Sequence, residues 1–317
     1  MPELLPDPGV TRQDELRTGA PAETVVVGYD GTREAAAALE WAAAWAGRQG
    51  SRLLVASAVD PVLPAGPPSG PGPDIATVRQ AVGRVAARGA DLVRRQHDDV
   101  EVRSVGAVGH PSAELVALSD SADLVVVGRR TRADNPDASV GSVSFALSAH
   151  ARCPVVVVQG ERRFGLGEGR PVVVGVDTSQ PSLRALAFAA NAAASARVGL
   201  VIVSAWSGRE VEPWLAELWG GPTPGVDRAA EESARAQSSV AAAADIVRQS
   251  HPELHTTTRT PRGALHEVLL DEARDAGLLV VGARGGGGFA GLALGSVTRG
   301  VLRQADLPVA VVRSGRL

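Results

Sequence analysis

Glycine, serine and aspartate, rather than any cationic side chain, carry the chemical potential of this 317-residue sequence. Gly282-Ala283-Arg284-Gly285 is followed, after nine residues, by Gly295-Ser296, and the interval also holds Gly286, Gly287, Gly288 and Gly291. Glycine lets the backbone reach positive φ and lets phosphate oxygens approach main-chain N–H groups. Gly295 and Ser296 stand where a helix should start, so they add N–H donors, a hydroxyl and the positive end of the helix dipole. Such a loop suits a di- or triphosphate without a lysine. It is not a Walker A loop, because no Gly-Lys-[Ser/Thr] is present, and it is not the dinucleotide fingerprint, which follows the first strand. Asp30 and Asp177 each follow a Val-Val-Val-Gly run and supply carboxylates near the same place.

All 32 basic residues are arginine, which removes Schiff-base, P-loop-lysine and kinase-lysine chemistry. Cys153 is the only cysteine, so there is no internal disulfide and no cysteine metal cluster. Thiol-poor usage fits the cytoplasm. The formal charge of −3 provides no global basic field for nucleic acid or anionic lipid. No apolar run approaches the ~18–20 residues of a membrane span. Residues 1–22 hold four prolines, several acids and no apolar stretch; they read as a disordered tail, not a secretory signal.

The elements that must position these residues occur twice. VVVGYDG (25–31) matches VVVGVDT (172–178) at an offset of 147, and Leu39, Trp41 and Ala42 match Leu186, Phe188 and Ala189. LVVVGRR (124–130) matches LLVVGAR (278–284), Gly141-Ser142-Val143 matches Gly295-Ser296-Val297, and CPVVVV matches LPVAVV, all at 154. A net seven residues are therefore inserted in the second copy, near Trp206, Trp214 and Trp219. A repeat of about 140 residues is a domain, not a solenoid unit. The division is a tail at 1–22, a first domain at 23–160, a polar, glycine-rich linker at 161–170 and a second domain at 171–314. Within each copy, short continuous apolar runs read as strands buried on both faces, alternating with helical stretches such as 33–47. Asp30 and Thr32 are N-cap candidates for that helix and Gly50 a C-cap. The stretch 100–106 alternates and belongs nearer an edge. The expectation is α/β: two tandem, doubly wound, Rossmann-like domains with five parallel strands each. Ligands of such sheets sit beyond the carboxyl ends of the strands, where strand order reverses.

The spacing G-x2-G-x9-G-[ST] after the fourth strand, with V-x-V-D after the first, resembles the universal stress protein family. GHPSAELVALSDSADLVVVG (109–128) and GSVTRGVLRQADLPVAVV (295–312) extend the resemblance through both copies. It implies a strand order of 3-2-1-4-5 in each domain. It also implies ATP binding, with adenine at the end of strand two, ribose and phosphates on the glycine loop, and Mg2+ or another divalent ion beside them. Carried across, Gly175, Asp177, Ala205, Gly282, Arg284, Gly285, Gly286, Gly295 and Ser296 form the site of the second domain. Gly28, Asp30, Ala58, Gly128, Gly141 and Ser142 are the matching positions of the first. The family commonly dimerises through its last strand. Here residues 154–158 and 308–312 would pair within one chain, and a homodimer through terminal edge strands is a further expectation.

The first copy departs from the pattern. Thr131 replaces the second loop glycine, and Asp134, Pro136 and Asp137 enter the loop. Two acids repel phosphate unless a metal intervenes, whereas Arg129, Arg130 and Arg132 attract it. The first site is therefore expected to be the weaker. Other residues carry plainer readings. Asp30 and Asp177 also serve as helix caps, and His110-Pro111 begins a helix. Pro252 breaks the helix that a His251/His255 metal pair would need. Cys153 is structural. The three tryptophans form either a satellite cluster or a lid, and the Pro/Gly-rich 61–73 reads as a loop.

The leading functional expectation is an ATP-binding stress-response regulator or sensor without efficient catalysis, since no nucleophile and base are paired in the sequence. The alternatives are a slow ATPase or nucleotidyl-transfer enzyme of the same broad fold, and an interaction scaffold that holds no nucleotide.

Overall fold

The computed structural model describes residues 23–61, 74–129, 141–159, 166–167, 169–177, 179–207, 228–285 and 293–313. The tail at 1–22, most of the 161–170 linker, most of the Pro/Gly-rich loop, Trp214 and Trp219 lie outside these residues. The first half runs β1 (Thr24–Gly28), α1 (Arg33–Gln49), β2 (Arg52–Val59), α2 (Ile75–Gln96), β3 (Val102–Val108), α3 (Pro111–Leu118), β4 (Leu124–Gly128), α4 (Ser142–His150) and β5 (Val155–Val158). In the second half the same order is followed by β6 (Val172–Gly175), α5 (Gln180–Ala196), β7 (Leu200–Val203), α6 (Arg228–Ser250), β8 (Thr256–Arg259), α7 (Leu265–Glu272), β9 (Leu278–Gly282), α8 (Ser296–Gln304) and β10 (Val309–Val312).

Local chemistry explains the boundaries. Thr32 caps α1 through its hydroxyl, which accepts from the Ala35 N–H, and Gly50 ends the helix at φ 64°. Ser179 caps α5 in the same way, and Pro181 sits in its first turn, where a missing N–H does no harm. The residue matching Gly50 is Arg197, which holds the left-handed conformation at φ 55° without glycine's freedom. His110 precedes α3, with Pro111 as its first residue, as the sequence implies.

Both halves have the strand order 3-2-1-4-5, and together they form one ten-stranded sheet, β3-β2-β1-β4-β5-β10-β9-β6-β7-β8. Every neighbour is parallel except at the centre, where β5 and β10 run antiparallel with Val157 opposite Val309, Val156 opposite Ala310 and Val155 opposite Val311. The pairing of the last strands within one chain is thus present. Each of those strands is occupied by the other, and the open edges of the sheet are β3 and β8. The third strand lies at an edge, as its alternation implies.

Side chains alternate between two cores. Val25, Val27, Leu124 and Val126 face α1, α2, α5 and α6, whereas Val26, Val125 and Val127 face α3, α4, α7 and α8. Both cores run across the seam. Trp45 stacks on Trp41 at 5.3 Å and on Phe188 of the other half at 5.5 Å. Gln49 Nε2 donates to Ser195 Oγ at 3.0 Å, from the end of α1 to the end of α5. No described helix is long and apolar enough to cross a membrane.

Two outcomes test this reading. Arg197→Gly relieves a left-handed arginine and should raise stability by about 0.5–1 kcal/mol, while Gly50→Arg should lower it, as read from urea unfolding. Burial, reinforced by the charge of Asp123, pushes the Cys153 thiol up to about 12. Only ~1 in 10,000 molecules would then carry a thiolate at pH 8, so the folded protein should resist iodoacetamide and react only once unfolded.

Candidate functional site

The order of strands reverses between β6 and β9, and there the ends of the two strands diverge over a cavity of about 250 Å³. Gly175, Asp177, Gly282, Arg284, Gly285, Gly295 and Ser296, seven of the nine predicted residues, line it. Leu265 and Leu269 of α7 add an apolar wall. Ala205 is not part of the lining; it is half-buried at the end of β7, against the core of the α7–α8 face. Gly286 lies outside the described residues. In the first half the corresponding residues do not build a comparable cavity among the described residues, which leave out the loop at 130–140. Of the six predicted there, only Ala58 lines the small pocket of about 20 Å³ beside Ser57, Glu114 and Leu115.

The glycines divide into two groups, which spacing alone could not separate. A Cβ on Gly28 would lie 3.0 Å from Leu115 Cδ1, and one on Gly175 would lie 2.9 Å from Leu269 Cδ1. A Cβ on Gly128 would lie 2.4 Å from the Glu34 carbonyl oxygen, and one on Gly282 would lie 3.2 Å from the Pro181 carbonyl carbon. These four glycines let helices reach the sheet. Gly285 is different: its missing Cβ would stand 2.6 Å from Asp177 Oδ2, so the carboxylate closes over bare backbone.

Asp177 is held rigidly. Its Oδ1 accepts from the Ser179 N–H at 2.8 Å and from the Ser179 hydroxyl. Ser182 Oγ donates to the Asp177 carbonyl at 2.5 Å. Asp30 repeats the device, accepting from the Thr32 N–H at 3.0 Å and from Thr32 Oγ1 at 2.6 Å. The helix caps are therefore Thr32 and Ser179; each aspartate braces the cap through an Asx turn. Asp177 does so with Oδ2 beside Gly285.

The start of α8 has the opposite character. Its N-cap, Gly295, has no side chain to accept a hydrogen bond, and neither has Gly141 before α4. The first-turn N–H groups of α8 lack intrahelical partners, and together with the dipole they favour an anion at the cavity mouth. Two contacts fix that turn against β9. The Gly295 N–H donates to the Ala283 carbonyl at 2.9 Å, and buried Thr298 donates its hydroxyl to the Gly282 carbonyl at 2.7 Å. Ser144 makes the matching contact to Gly128 at 3.2 Å. Thr298 and Ser144 were not among the predicted residues. Their signal was a hydroxyl two positions after Gly-Ser in both copies.

Arg129 does not face phosphate in the first half, contrary to the expectation from its loop. Its Nη1 donates to the Leu302 and Arg303 carbonyls of the second half at 3.0 and 2.9 Å, and burial lowers its pKa. Arg130 and Arg132 lie outside the described residues. Trp206 donates Nε1–H to the Thr260 carbonyl at 3.1 Å and carries the Arg262 guanidinium 5.5 Å from its ring centroid. His251 pairs with Asn191 Oδ1 at 3.0 Å. Among the described residues, no group of three or more His, Cys, Asp and Glu side chains is arranged to hold a metal.

The Asp177–Gly285 contact makes a testable pair. Gly285→Ala should displace the carboxylate, loosen the Ser179 cap and lower stability by about 1 kcal/mol. In the double-mutant cycle with Asp177→Ala that loss should largely vanish, as measured by urea unfolding.

The signature of the universal stress protein family matches residues 21–159 and again residues 169–313. A universal stress protein of Mycolicibacterium smegmatis is 31% identical over 300 residues, spanning 91% of this chain and 96% of its own. One from Mycobacterium tuberculosis is 32% identical over 305 residues, spanning 94% and 99%. The crystal structure of a universal stress protein from Archaeoglobus fulgidus aligns with a TM-score of 0.66 over 92% of this chain and 98% of its own, at 16% identity, a likeness of fold. Two matches in one chain, near-full-length relatives and the shared fold lead to one conclusion: this chain belongs to the universal stress protein family, in its tandem two-domain form.

Proposed function

We propose that the second domain binds an adenine nucleotide, with ATP as the reference ligand, and that the protein acts as a stress-response regulator or sensor in the cytoplasm. The observation that carries this reading is the uncapped start of α8, which opens on the cavity beside Gly285. Main-chain N–H groups and the Ser296 hydroxyl would hold the phosphates, so the lack of lysine is no obstacle. A volume of about 250 Å³ lies near the lower end of small-ligand sites. Leu265 and Leu269 provide the apolar surface that a nucleoside needs. A magnesium ion would find one carboxylate, Asp177, with nucleotide phosphates completing its shell; magnesium commonly binds in this way.

Efficient catalysis is not part of the proposal. No histidine or cysteine lines the cavity, and Asp177 Oδ1 is committed to Ser179. The first domain is the weaker site or holds no nucleotide: Thr131 stands where the second copy has Gly285, and of the matching residues only Ala58 lines the pocket of about 20 Å³. An ATPase or nucleotidyl transferase would need a base placed at the phosphates. A pure scaffold would leave the α8 donors without a ligand.

The test uses Ser296→Asp. An acid at the first position of α8 favours the helix dipole, so the fold is kept, while its charge repels phosphate. Wild-type protein should show a melting temperature raised by several degrees at 100-fold excess over Kd, where binding supplies about 2.7 kcal/mol. Ser296→Asp should lose that shift, and Ser142→Asp in the first half should keep it. Calorimetry should give about one ATP per chain; two equal sites would sink the proposed asymmetry.

A further inference from the structure

The two halves are joined by more than the central strand pair. α4 and α8 both end in carbonyls that lack helical partners, and in each case an arginine from the opposite half supplies the donors. Arg129 Nη1 donates to the Leu302 and Arg303 carbonyls of α8 at 3.0 and 2.9 Å. Arg313 Nη1, just beyond β10, donates to the Ala149 carbonyl of α4 and reaches the Ser148 carbonyl at 3.4 Å. The acceptors are equivalent in the repeat: Ser148 and Ala149 match Leu302 and Arg303 at the offset of 154. The donors are not. Arg129 occupies the position of Ala283, and Arg313 that of Gln159. Gln159 is 4% exposed, and neither atom of its amide has a partner among the described residues. The crossed contacts thus join equivalent acceptors to donors from different strand ends.

Both arginines contact segments that carry the candidate site. Arg313 Nη1 also lies 3.4 Å from the Ala293 carbonyl, two residues before the Gly295 cap. Arg129 holds the far end of the helix whose first turn faces the cavity. We propose that Arg313 and Arg129 are positioning residues for the phosphate-binding end of the second domain's site, so that the first domain sets the geometry of a pocket to which it contributes no lining. This rests on the nucleotide reading above. α8 is then fixed at its start by Thr298 and Gly295 and at its end by Arg129, while Arg313 fixes the chain entering it. A ligand that engages the α8 donors should feel the loss of either arginine. A ligand that lacks phosphate should not.

The experiment compares ATP and adenosine by calorimetry on the full chain. Arg313→Ala should weaken ATP about tenfold, the scale of one hydrogen bond to a charged group, and leave adenosine within about twofold. Arg129→Ala should act in the same direction, and Arg313→Lys should recover part of the loss. Arg152→Ala is the control: its side chain is 77% exposed, pairs with Asp120, and should leave both affinities unchanged. If Arg313→Ala does not fold, Arg313→Lys and Arg129→Ala carry the same comparison. ATP affinity equal to wild type in the arginine variants would overturn the inference. Parallel loss of ATP and adenosine would also overturn it, since that marks a general structural role. Wild-type protein that binds neither ligand would instead overturn the nucleotide reading. Hydrogen exchange at residues 293–298 in ligand-free protein then decides: acceleration of about tenfold or more in Arg313→Ala supports the brace, and unchanged exchange refutes it.

Discussion

The antiparallel pairing of Val155–Val158 with Val309–Val312 is the constraint on which the rest of the molecule depends. Each half alone would be a five-stranded sheet with a flat, wholly apolar last strand at its edge, the kind of edge that invites uncontrolled pairing. Joining the two last strands satisfies both edges at once. It also brings α1 against α5, so that Trp45 and Phe188 stack across the seam, and it merges two small cores into layers running through both halves. Larger buried layers hold a greater fraction of the chain away from water. The antiparallel sense places α4 and α8 where arginines from the opposite half can reach their last carbonyls.

Within this frame the two copies have moved apart in a consistent direction. The scaffold features are shared: Gly28 and Gly175 receive a leucine, Asp30 and Asp177 brace a helix cap, Ser144 and Thr298 tie the last helix to the fourth strand. The features that form a cavity are retained in the second copy. Gly285 leaves room for the Asp177 carboxylate, where the first copy has Thr131. At the seam, asymmetry shows as Arg313 against an unpartnered Gln159.

Much of this was legible in the residues. The repeat, the strand and helix alternation, the Thr32 cap and the Gly50 stop follow from pattern and spacing, because each reflects local backbone chemistry, and the family resemblance supplied seven of the fourteen residues that line the cavity. The wrong expectations involve long-range geometry. Arg129 reads as a phosphate contact because it adjoins the loop, yet its side chain turns to carbonyls 173 and 174 residues away. Gly128 and Gly282 stand at strand ends, as the sequence implies, but the spacing does not show that a helix start occupies the space where a Cβ would stand. Ala205 stands just beyond β7 but outside the lining, half-buried against the core of the α7–α8 face.

The sequence by itself determined the domain repeat, the parallel fold and the family, because short-range hydrogen bonding and side-chain periodicity are written residue by residue. Only the tertiary structure decided which glycines face helices and which face a cavity, that the last strands close on each other, and that each half's arginine completes the other's helix. Those outcomes depend on distances between segments far apart in the chain, and no local pattern encodes them.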